Sequence, residues 1–297
     1  MKSKTSCSLS KTRFDDYATH EPQTLSGFHY ASLAGWEDFF TFETEIINES
    51  LCIFARQNLG VFMILPPLGK WDSTTIECCF LHMKKTNKPG KFSRIENVPL
   101  QYINRFPSDR YDLDKRGYEY CYFKEDIMAL EGQAYRSKRN DYNHFVAENN
   151  PCFLPYENSM KEECLALFDQ WVLGRQKNPD DIYQTMIQEN RLVHARLMEQ
   201  AEELGLIGRI VMVKEKIVAY TFGYALTSSV FCDLLEITDL PLRGASAYIF
   251  RKFCRDQALA PFRFINCMDD FGMPNVGQAK MSYQPTFLLP IYGVTQK

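Results

Sequence analysis

Residues 204–270 read LGLIGRIVMVKEKIVAYTFGYALTSSVFCDLLEITDLPLRGASAYIFRKFCRDQALAPFRFINCMDD, and this stretch decides the fold. It begins with three apolar runs rich in β-branched residues, separated by short polar segments of the Lys-Glu-Lys and Thr-Ser-Ser type. Such runs predict strands, and such separators predict tight turns. The pattern therefore predicts an antiparallel meander of three strands, over residues 207–213, 217–226 and 230–237.

The same stretch continues with a loop, a helix and a further strand. A proline falls in the loop 239–242, Gly244 follows it, and helical spacing extends over 245–257. After Pro261 a strand is predicted over 262–265. Strand, loop, helix N-terminus and strand in this order can hold an anion, because backbone N–H groups and the helix dipole point toward it. We therefore expect a phosphorylated or carboxylated ligand here.

Composition sets the class of protein. A chain of 297 residues with 45% hydrophobic residues is long enough for two globular domains, each with its own core. A net charge of −3, with both signs interspersed, gives no overall basic surface for nucleic acid, and DNA is not expected as a partner. Ten cysteines without a C-x-x-C pair, and no signal peptide, predict reduced thiols in a cytoplasmic protein. The apolar segment 219–232 is too short and interrupted to predict a transmembrane helix.

The remaining sequence predicts the same order of elements in both halves of the chain. Helices are predicted over residues 28–40, 71–85, 100–106, 127–130, 135–149, 161–175, 181–204 and 277–281. Further strands are predicted over residues 42–47, 51–56, 60–65, 92–98, 118–123, 152–156 and 283–292. We expect a disordered tail over 1–12 and two α+β (mixed α/β) domains, 13–125 and 126–297, each with a mostly antiparallel central sheet flanked by helices.

The predicted helix 135–149 places two cations beside an aromatic stripe. At about 100° per residue, Lys138 and Arg139 fall in the same arc as Tyr142 and Phe145. Two interpretations remain open. The apolar stems of the two cations cover the helix surface while their charged ends reach water, or they face a cleft and bind a phosphate or carboxylate there.

Candidate acids and bases follow the predicted strands. Glu236 ends the third strand of the meander, and Asp269 follows the strand after the helix. A carboxylate at such a position can take a proton from an attacking amine or hydroxyl, or it can be an ordinary solvated turn residue. Near the end of the sequence, Tyr283 could protonate a leaving group and Lys280 could bind an anion, or either could simply pack.

The sequence lacks several motifs that identify common enzyme classes. It contains no G-x-x-x-x-G-K-[ST], G-x-G-x-x-G, G-x-S-x-G or H-E-x-x-H motif, and its five histidines show no metal-ligand spacing. These absences argue against a nucleotide hydrolase, a dehydrogenase, a serine hydrolase and a zinc enzyme. No metal site and no required cofactor are expected.

Residues 120–151, YCYFKEDIMALEGQAYRSKRNDYNHFVAENNP, carry a resemblance to a known family. Their Ser-Lys-Arg-Asn block resembles a soluble bacterial family related to the C-terminal domain of phosphatidylglycerol lysyltransferase. Further similar segments are 204–206 (LGL), 216–223 (KIVAYTFG) and 278–285 (QAKMSYQP). The resemblance implies two tandem GNAT-like acyltransferase domains and transfer of an acyl or aminoacyl group. The donor it implies is aminoacyl-tRNA or acyl-CoA, and the acceptor is an amine or hydroxyl of a small molecule or lipid headgroup.

The resemblance also points to site residues. Glu236 matches a glutamate of the family, and Asn140 completes the Ser-Lys-Arg-Asn block, so we include it with Lys138 and Arg139 as a candidate anion ligand. Arg243 and Gly244 lie where acyl-CoA-dependent relatives bind pyrophosphate, although this loop has one glycine where two are usual. The loop 266–272 departs from the family pattern around Asp269.

Two functions follow from these observations. In the first, the protein is an acyl- or aminoacyltransferase in which Glu236 or Asp269 deprotonates the acceptor while Lys138 and Arg139 bind donor phosphates. In the second, it is a catalytically inactive GNAT-like module that binds an anionic ligand or the acceptor end of a tRNA.

Overall fold

The computed structural model describes residues 7–18, 25–87, 93–175 and 181–297. These residues form two compact units: one comprises the chain up to Glu119 together with Leu288–Lys297, and the other is Tyr120–Phe287. The first unit begins with β1 Cys7–Ser8, α1 Lys11–Ala18, α2 Tyr30–Ala34, β2 Thr41–Ile47, β3 Ser50–Gln57, β4 Gly60–Met63, α3 Ser73–Thr86, β5 Arg94–Pro99 and β6 Tyr111–Phe123.

The second unit contains most of the helices. In chain order its elements are α4 Lys124–Ala129, α5 Arg136–Asn149, β7 Cys152–Pro155, α6 Lys161–Arg175, α7 Asp181–Glu199, α8 Ala201–Leu204, β8 Ile207–Val213, β9 Lys216–Ala225, β10 Val230–Thr238, α9 Ala245–Cys254, β11 Phe264–Asn266 and α10 Pro274–Met281. The last strand, β12 Phe287–Gln296, returns to the first unit. Short 3-10 helices occur at Ser26–Phe28, Leu100–Arg105, Asn158–Met160 and Gln257–Leu259.

Both units have a mostly antiparallel sheet with one parallel pair. The first unit orders its strands β1-β2-β3-β4-β5-β12, and only β4 and β5 are parallel among the pairs described there. The second orders them β7-β8-β9-β10-β11 followed by the end of β6, and β10 and β11 form its parallel pair. A parallel pair needs a crossover connection, which α3 provides in one unit and α9 in the other. The predicted α+β class and the repeated element order are confirmed.

Helix α9 fixes the geometry of the second unit. Seven of its ten residues are buried, among them Tyr248, Ile249 and Phe253. It packs against α5 and β9, and its N-cap, Gly244, has a φ of +88°. A Cβ on Gly244 would lie 2.1 Å from the backbone oxygen of Asp141. Glycine is therefore required where α9 begins, because both the left-handed φ and the close approach to α5 exclude a side chain.

Several predicted elements differ from the structure in their bounds, and a local cause accounts for three of these differences. Helix α9 ends at Cys254, not 257, because the Asp256 carboxylate accepts the Ala258 N–H and begins a 3-10 turn. The predicted helix 28–40 is shortened to α2, since Gly35 ends it and aromatic turns follow. The predicted strand 283–292 begins only at Phe287, because Tyr283 and Gln284 continue the turn after α10 through hydrogen bonds to Lys280 and Met281.

The limits of the units also differ from the sequence prediction. Residues 291–295 pair with β5, and 288–297 group with the first unit rather than with 126–297. Within the predicted tail 1–12, residues 1–6 lie outside the described residues. Cys7 and Ser8 pair with β2 and Lys11 begins α1, so ordered structure starts inside that range.

Substituting Gly244→Ala tests the close contact between α9 and α5. We expect a loss of about 2–5 kcal/mol in the free energy of unfolding, from the left-handed φ and the forced displacement of α5 together. Gly205→Ala is the matched control, because Gly205 also has a positive φ of +70° but no atom within 4 Å of an added Cβ. It should cost about 1–2 kcal/mol. Urea unfolding of both variants measures the difference, and equal losses would contradict the close contact.

Candidate functional site

A β-bulge places two carboxyl groups together on β10. The pairing of β10 with β9 shifts register between Asp233 and Leu235, and a bulge changes the alternation of side chains along a strand. Asp233 is buried and accepts a hydrogen bond from Thr221 Oγ1 at 2.8 Å. Glu236, three residues later, is half-buried and close enough to Asp233 for their charges to interact.

Glu236 is joined to α9 by a hydrogen bond. Ser246, the second residue of α9, donates from Oγ to Glu236 Oε1 at 2.8 Å. Tyr283, whose pKa responds to the charge of Glu236, is 8% exposed and packs edge-on against Phe250. Side chains from β10, α9 and the turn after α10 thus come together around Glu236.

Lys138 on α5 completes this group. Its Nζ lies 4.3 Å from the centroid of the Tyr283 ring, a cation–π contact. Burial lowers the pKa of Lys138, and the charges of Asp141 and Glu236 oppose that shift. The candidate site is therefore the set Glu236, Ser246, Tyr283 and Lys138. The buried carboxyl of Asp233 is a neighbour of Glu236 on the same strand.

The environment of the site shifts its proton equilibria. Burial and the Asp233 carboxyl raise the pKa of Glu236 to about 8, against the Ser246 hydrogen bond and the charges of Lys280 and Lys138. Burial likewise raises the pKa of Asp233. Burial and the charge of Glu236 raise the pKa of Tyr283, which keeps its phenol protonated. A carboxyl whose pKa lies near neutral pH can accept and release a proton during a reaction.

Asp269, in the loop after β11, and Lys280, on α10, lie beside this group. The Lys280 ammonium donates to the backbone oxygens of Cys267, at 2.6 Å, and of Asp269. Burial raises the pKa of Asp269, and the charge of Lys280 opposes that shift. The predicted anion ligand Lys280 thus holds the loop that carries the predicted catalytic Asp269, and its charge also acts on Glu236.

The other predicted anion ligands contact different partners. Arg139 donates to the backbone oxygens of Leu130 and, at 3.2 Å, Gly132, beyond the end of α4. Arg243 pairs with Asp141 at 2.9 Å, and Gly244 packs against the backbone of the same residue. Asn140 is exposed on α5. Of the predicted site residues, Glu236, Tyr283 and Lys138 come together, whereas these four make no described contact with Glu236.

A family model described as phosphatidylglycerol lysyltransferase, C-terminal, matches residues 20–295. The chain belongs to this family. The match includes every residue of the candidate site, and it confirms the resemblance carried by residues 120–151.

Solved structures agree with this assignment of family and fold. A conserved protein of unknown function from Bacteroides thetaiotaomicron is 21% identical, with a TM-score of 0.84 over 98% of this chain and 99% of that one. L-PGS from Bacillus licheniformis is 14% identical, with a TM-score of 0.67 over 98% of this chain and 93% of that one. A tandem GNAT protein from the clavulanic acid pathway is 8% identical, with a TM-score of 0.54 over 96% and 93%. The predicted tandem GNAT-like fold is confirmed.

Asp233 and Ser246 are the site residues that the sequence did not single out. A carboxyl inside the apolar run VFCDLLEI was a usable signal for Asp233, because a buried strand rarely contains an acid without a partner. The contact of Ser246 with Glu236 depends on the packing of α9, which the spacing of residues in the sequence does not reveal.

Among the described residues, none of the helices has the length and apolar character needed to cross a membrane.

The raised pKa of Glu236 makes a prediction about stability. Between about pH 4.5 and 8 the folded chain retains a proton that the unfolded chain releases, so the free energy of unfolding falls as pH rises through this window. Glu236→Gln removes the ionisable group. The stability of this variant relative to the unmodified chain should therefore improve from pH 5 to pH 9 in urea titrations. Glu148→Gln, at an exposed position of α5, is the control, and a difference that stays constant with pH would contradict the assignment.

Truncation of Arg139 should lower the stability of the fold more than truncation of Arg136 on the same helix. Arg139→Ala removes donors from carbonyl groups beyond α4 and should lower the free energy of unfolding by about 1–3 kcal/mol. Arg136→Ala, at an exposed position of the same helix, should change it by less than about 0.5 kcal/mol. Thermal melts of the two variants provide the measurement. If Arg139→Ala melts at the same temperature as the Arg136→Ala control, the role assigned to Arg139 in holding the segment 130–132 is wrong.

Proposed function

We propose that this protein is an aminoacyltransferase whose reaction centre is the Glu236, Ser246, Tyr283 and Lys138 group. The observation that carries the proposal is Glu236: a carboxyl with a pKa raised to about 8, at the end of β10, hydrogen-bonded to α9 and close to an ammonium group. Membership of the lysyltransferase family supports the reaction class. Such a carboxyl suits the removal of a proton from an amine or hydroxyl at neutral pH.

In the proposed reaction the acceptor attacks the ester carbonyl of an aminoacyl donor. A new acyl bond forms as the ester C–O bond breaks, and the acceptor proton passes by way of Glu236 to the ester oxygen that leaves. Lys138, whose ammonium lies above Tyr283, attracts the negative charge that develops on the carbonyl oxygen or is carried by donor phosphates. Burial, together with the neighbouring Asp233 carboxyl, keeps the pKa of Glu236 high.

The proposed donor is aminoacyl-tRNA rather than acyl-CoA. In the loop 242–246 the Arg243 side chain is paired with Asp141, and Gly244 packs against the same residue without room for a side chain. Both residues at the position where acyl-CoA-dependent relatives bind pyrophosphate thus contact α5. The proposed first acceptor is a lipid-headgroup hydroxyl, because phosphatidylglycerol is the acceptor named in the family description.

The test is transfer of radiolabelled amino acids from charged tRNA to phosphatidylglycerol vesicles, with acyl-CoA thioesters as the competing donors. Glu236→Gln should lower turnover by about 10²–10⁴-fold, the usual contribution of general base catalysis. Glu148→Gln should retain full turnover. Full turnover in Glu236→Gln would show that Glu236 is not the general base. Saturable, salt-sensitive tRNA binding without product would instead identify a binding module.

A further inference from the structure

The first unit contains a cavity that the proposed reaction does not use. Its volume is about 410 Å³, within the range of about 300–1,000 Å³ that is usual for small-molecule sites. The residues that line it all belong to the first unit and all carry polar side-chain atoms: Asn48, Lys70, Trp71, Asp72, Thr75 and Arg105. A lining of this kind favours a polar ligand.

The cavity lies where the chain passes from β4 into α3. Lys70 and Trp71 belong to the connection between these two elements, Asp72 is the N-cap of α3, and Thr75 is in its first turn. Helix α3 then crosses to β5, which is parallel to β4. In open sheets, ligands bind beside such crossovers, outside the carboxyl ends of the strands. The fold therefore places these side chains where a ligand site is expected.

The N-terminus of α3 is closed by its own capping residue. Asp72 Oδ1 accepts the backbone N–H of Thr75 at 2.9 Å and the Thr75 hydroxyl at 3.1 Å. Asn48 Nδ2 donates to the same hydroxyl at 3.3 Å. These bonds hold Asp72 and Asn48 in the wall of the cavity. Because the Asp72 carboxylate already caps the helix, an anion bound here depends on cationic side chains rather than on backbone N–H groups.

Two such cations line the cavity. Arg105 Cζ lies 4.5 Å from the centroid of the Trp71 ring and 4.4 Å from that of Tyr102. Contact with two buried rings holds the guanidinium in a defined orientation, which reduces the entropy lost on binding. Lys70 is exposed and forms no ion pair with a described residue. A preorganised guanidinium and an available ammonium in one cavity suit a phosphate group.

Trp71 supplies an independent indication of a ligand. It is 8% exposed, and its indole Nε1 is buried without a hydrogen-bond partner among the described residues. A buried donor left unpaired is rare in native proteins, because it loses its hydrogen bond to water on folding. Since Trp71 is part of the cavity wall, this donor points to an acceptor group that binds there.

We propose that this cavity is a second ligand site, which binds the phosphate ester of a small polyol or sugar. Lys70 and Arg105 bind the phosphate, and the Asp72 carboxylate accepts hydrogen bonds from the hydroxyl groups. A carboxylate beside two cations disfavours a ligand that is only anionic and favours one that also carries hydroxyl donors. Free glycerol 3-phosphate and the headgroup of phosphatidylglycerol share this chemistry. The inference does not depend on the proposed function.

Equilibrium dialysis of the full chain with radiolabelled glycerol 3-phosphate tests the site in solution. We expect saturable binding that is tighter than that of inorganic phosphate. Lys70→Gln should raise the Kd by about 10-fold, the order of one charge-assisted hydrogen bond. Lys84→Gln is the matched control, because it makes the same change of charge at an exposed position of α3 outside the cavity. It should leave the Kd unchanged.

Asp72→Asn tests the part of the site assigned to hydroxyl groups. Asparagine caps a helix about as well as aspartate, so α3 should be retained. The preference for glycerol 3-phosphate over inorganic phosphate should disappear, because the charged acceptor for the hydroxyl groups is lost. An undiminished preference in this variant would overturn the polyol phosphate as the ligand.

Sedimentation with phosphatidylglycerol vesicles, with phosphatidic acid vesicles as the control lipid, identifies the source of the ligand. Binding that Lys70→Gln weakens only in dialysis assigns a free polyol phosphate, and binding that it weakens only with phosphatidylglycerol vesicles assigns the lipid headgroup. Either result supports the site. If Lys70→Gln and Lys84→Gln behave alike in both assays, or if neither ligand is retained, the site is overturned. Neither assay requires transfer activity, so the result is separate from the fate of the proposed function.

Discussion

The hydrogen bond from Ser246 to Glu236 is the contact on which the candidate site depends. It joins the end of β10 to the first turn of α9, and it can form only because α9 begins where it does. That starting point is set by Gly244, which lets α9 approach the backbone of α5. The approach of α5 also brings Lys138 over the ring of Tyr283. The hydrogen bond between α9 and β10 therefore depends on the packing of α5 as well.

The carboxyl pair at the β-bulge is unfavourable for folding and useful for chemistry. Burial raises the pKa values of both Asp233 and Glu236, and each group that loses solvation costs stability when it ionises. Lys138 and Lys280 reduce this cost with opposite charge but do not remove it. A fold without a catalytic demand would gain by replacing Glu236 with a neutral residue. A destabilising acid at a half-buried position is typical of an active site.

Most of the fold could be predicted from the sequence, because its strands carry local signals. The runs 207–213, 217–226 and 230–237 became β8, β9 and β10 with bounds within one residue at each end, since β-branched residues and polar turns act over short distances. The helix end at Cys254 was missed because it depends on the Asp256 side chain, which turns back to cap the chain.

The candidate site was predicted less completely, for a physical reason. Glu236, Tyr283 and Lys138 were found because acids, phenols and amines are few in apolar patterns. Arg139 was given the same role as its neighbour Lys138. Its actual partners, the carbonyl groups after α4, lie in a turn whose geometry appears only when the chain is folded. Ser246 carries no distinguishing pattern, and its importance comes from what lies within 3 Å of it.

Strand β12 has a consequence for how the chain folds during synthesis. It pairs with β5 of the first unit, yet the whole of Tyr120–Phe287 is translated between these two strands. The first unit therefore cannot close its sheet as it leaves the ribosome, whereas the second unit has all its strands earlier. We expect the unit translated first to be completed last, which reverses the usual N-terminal-first order of folding during translation.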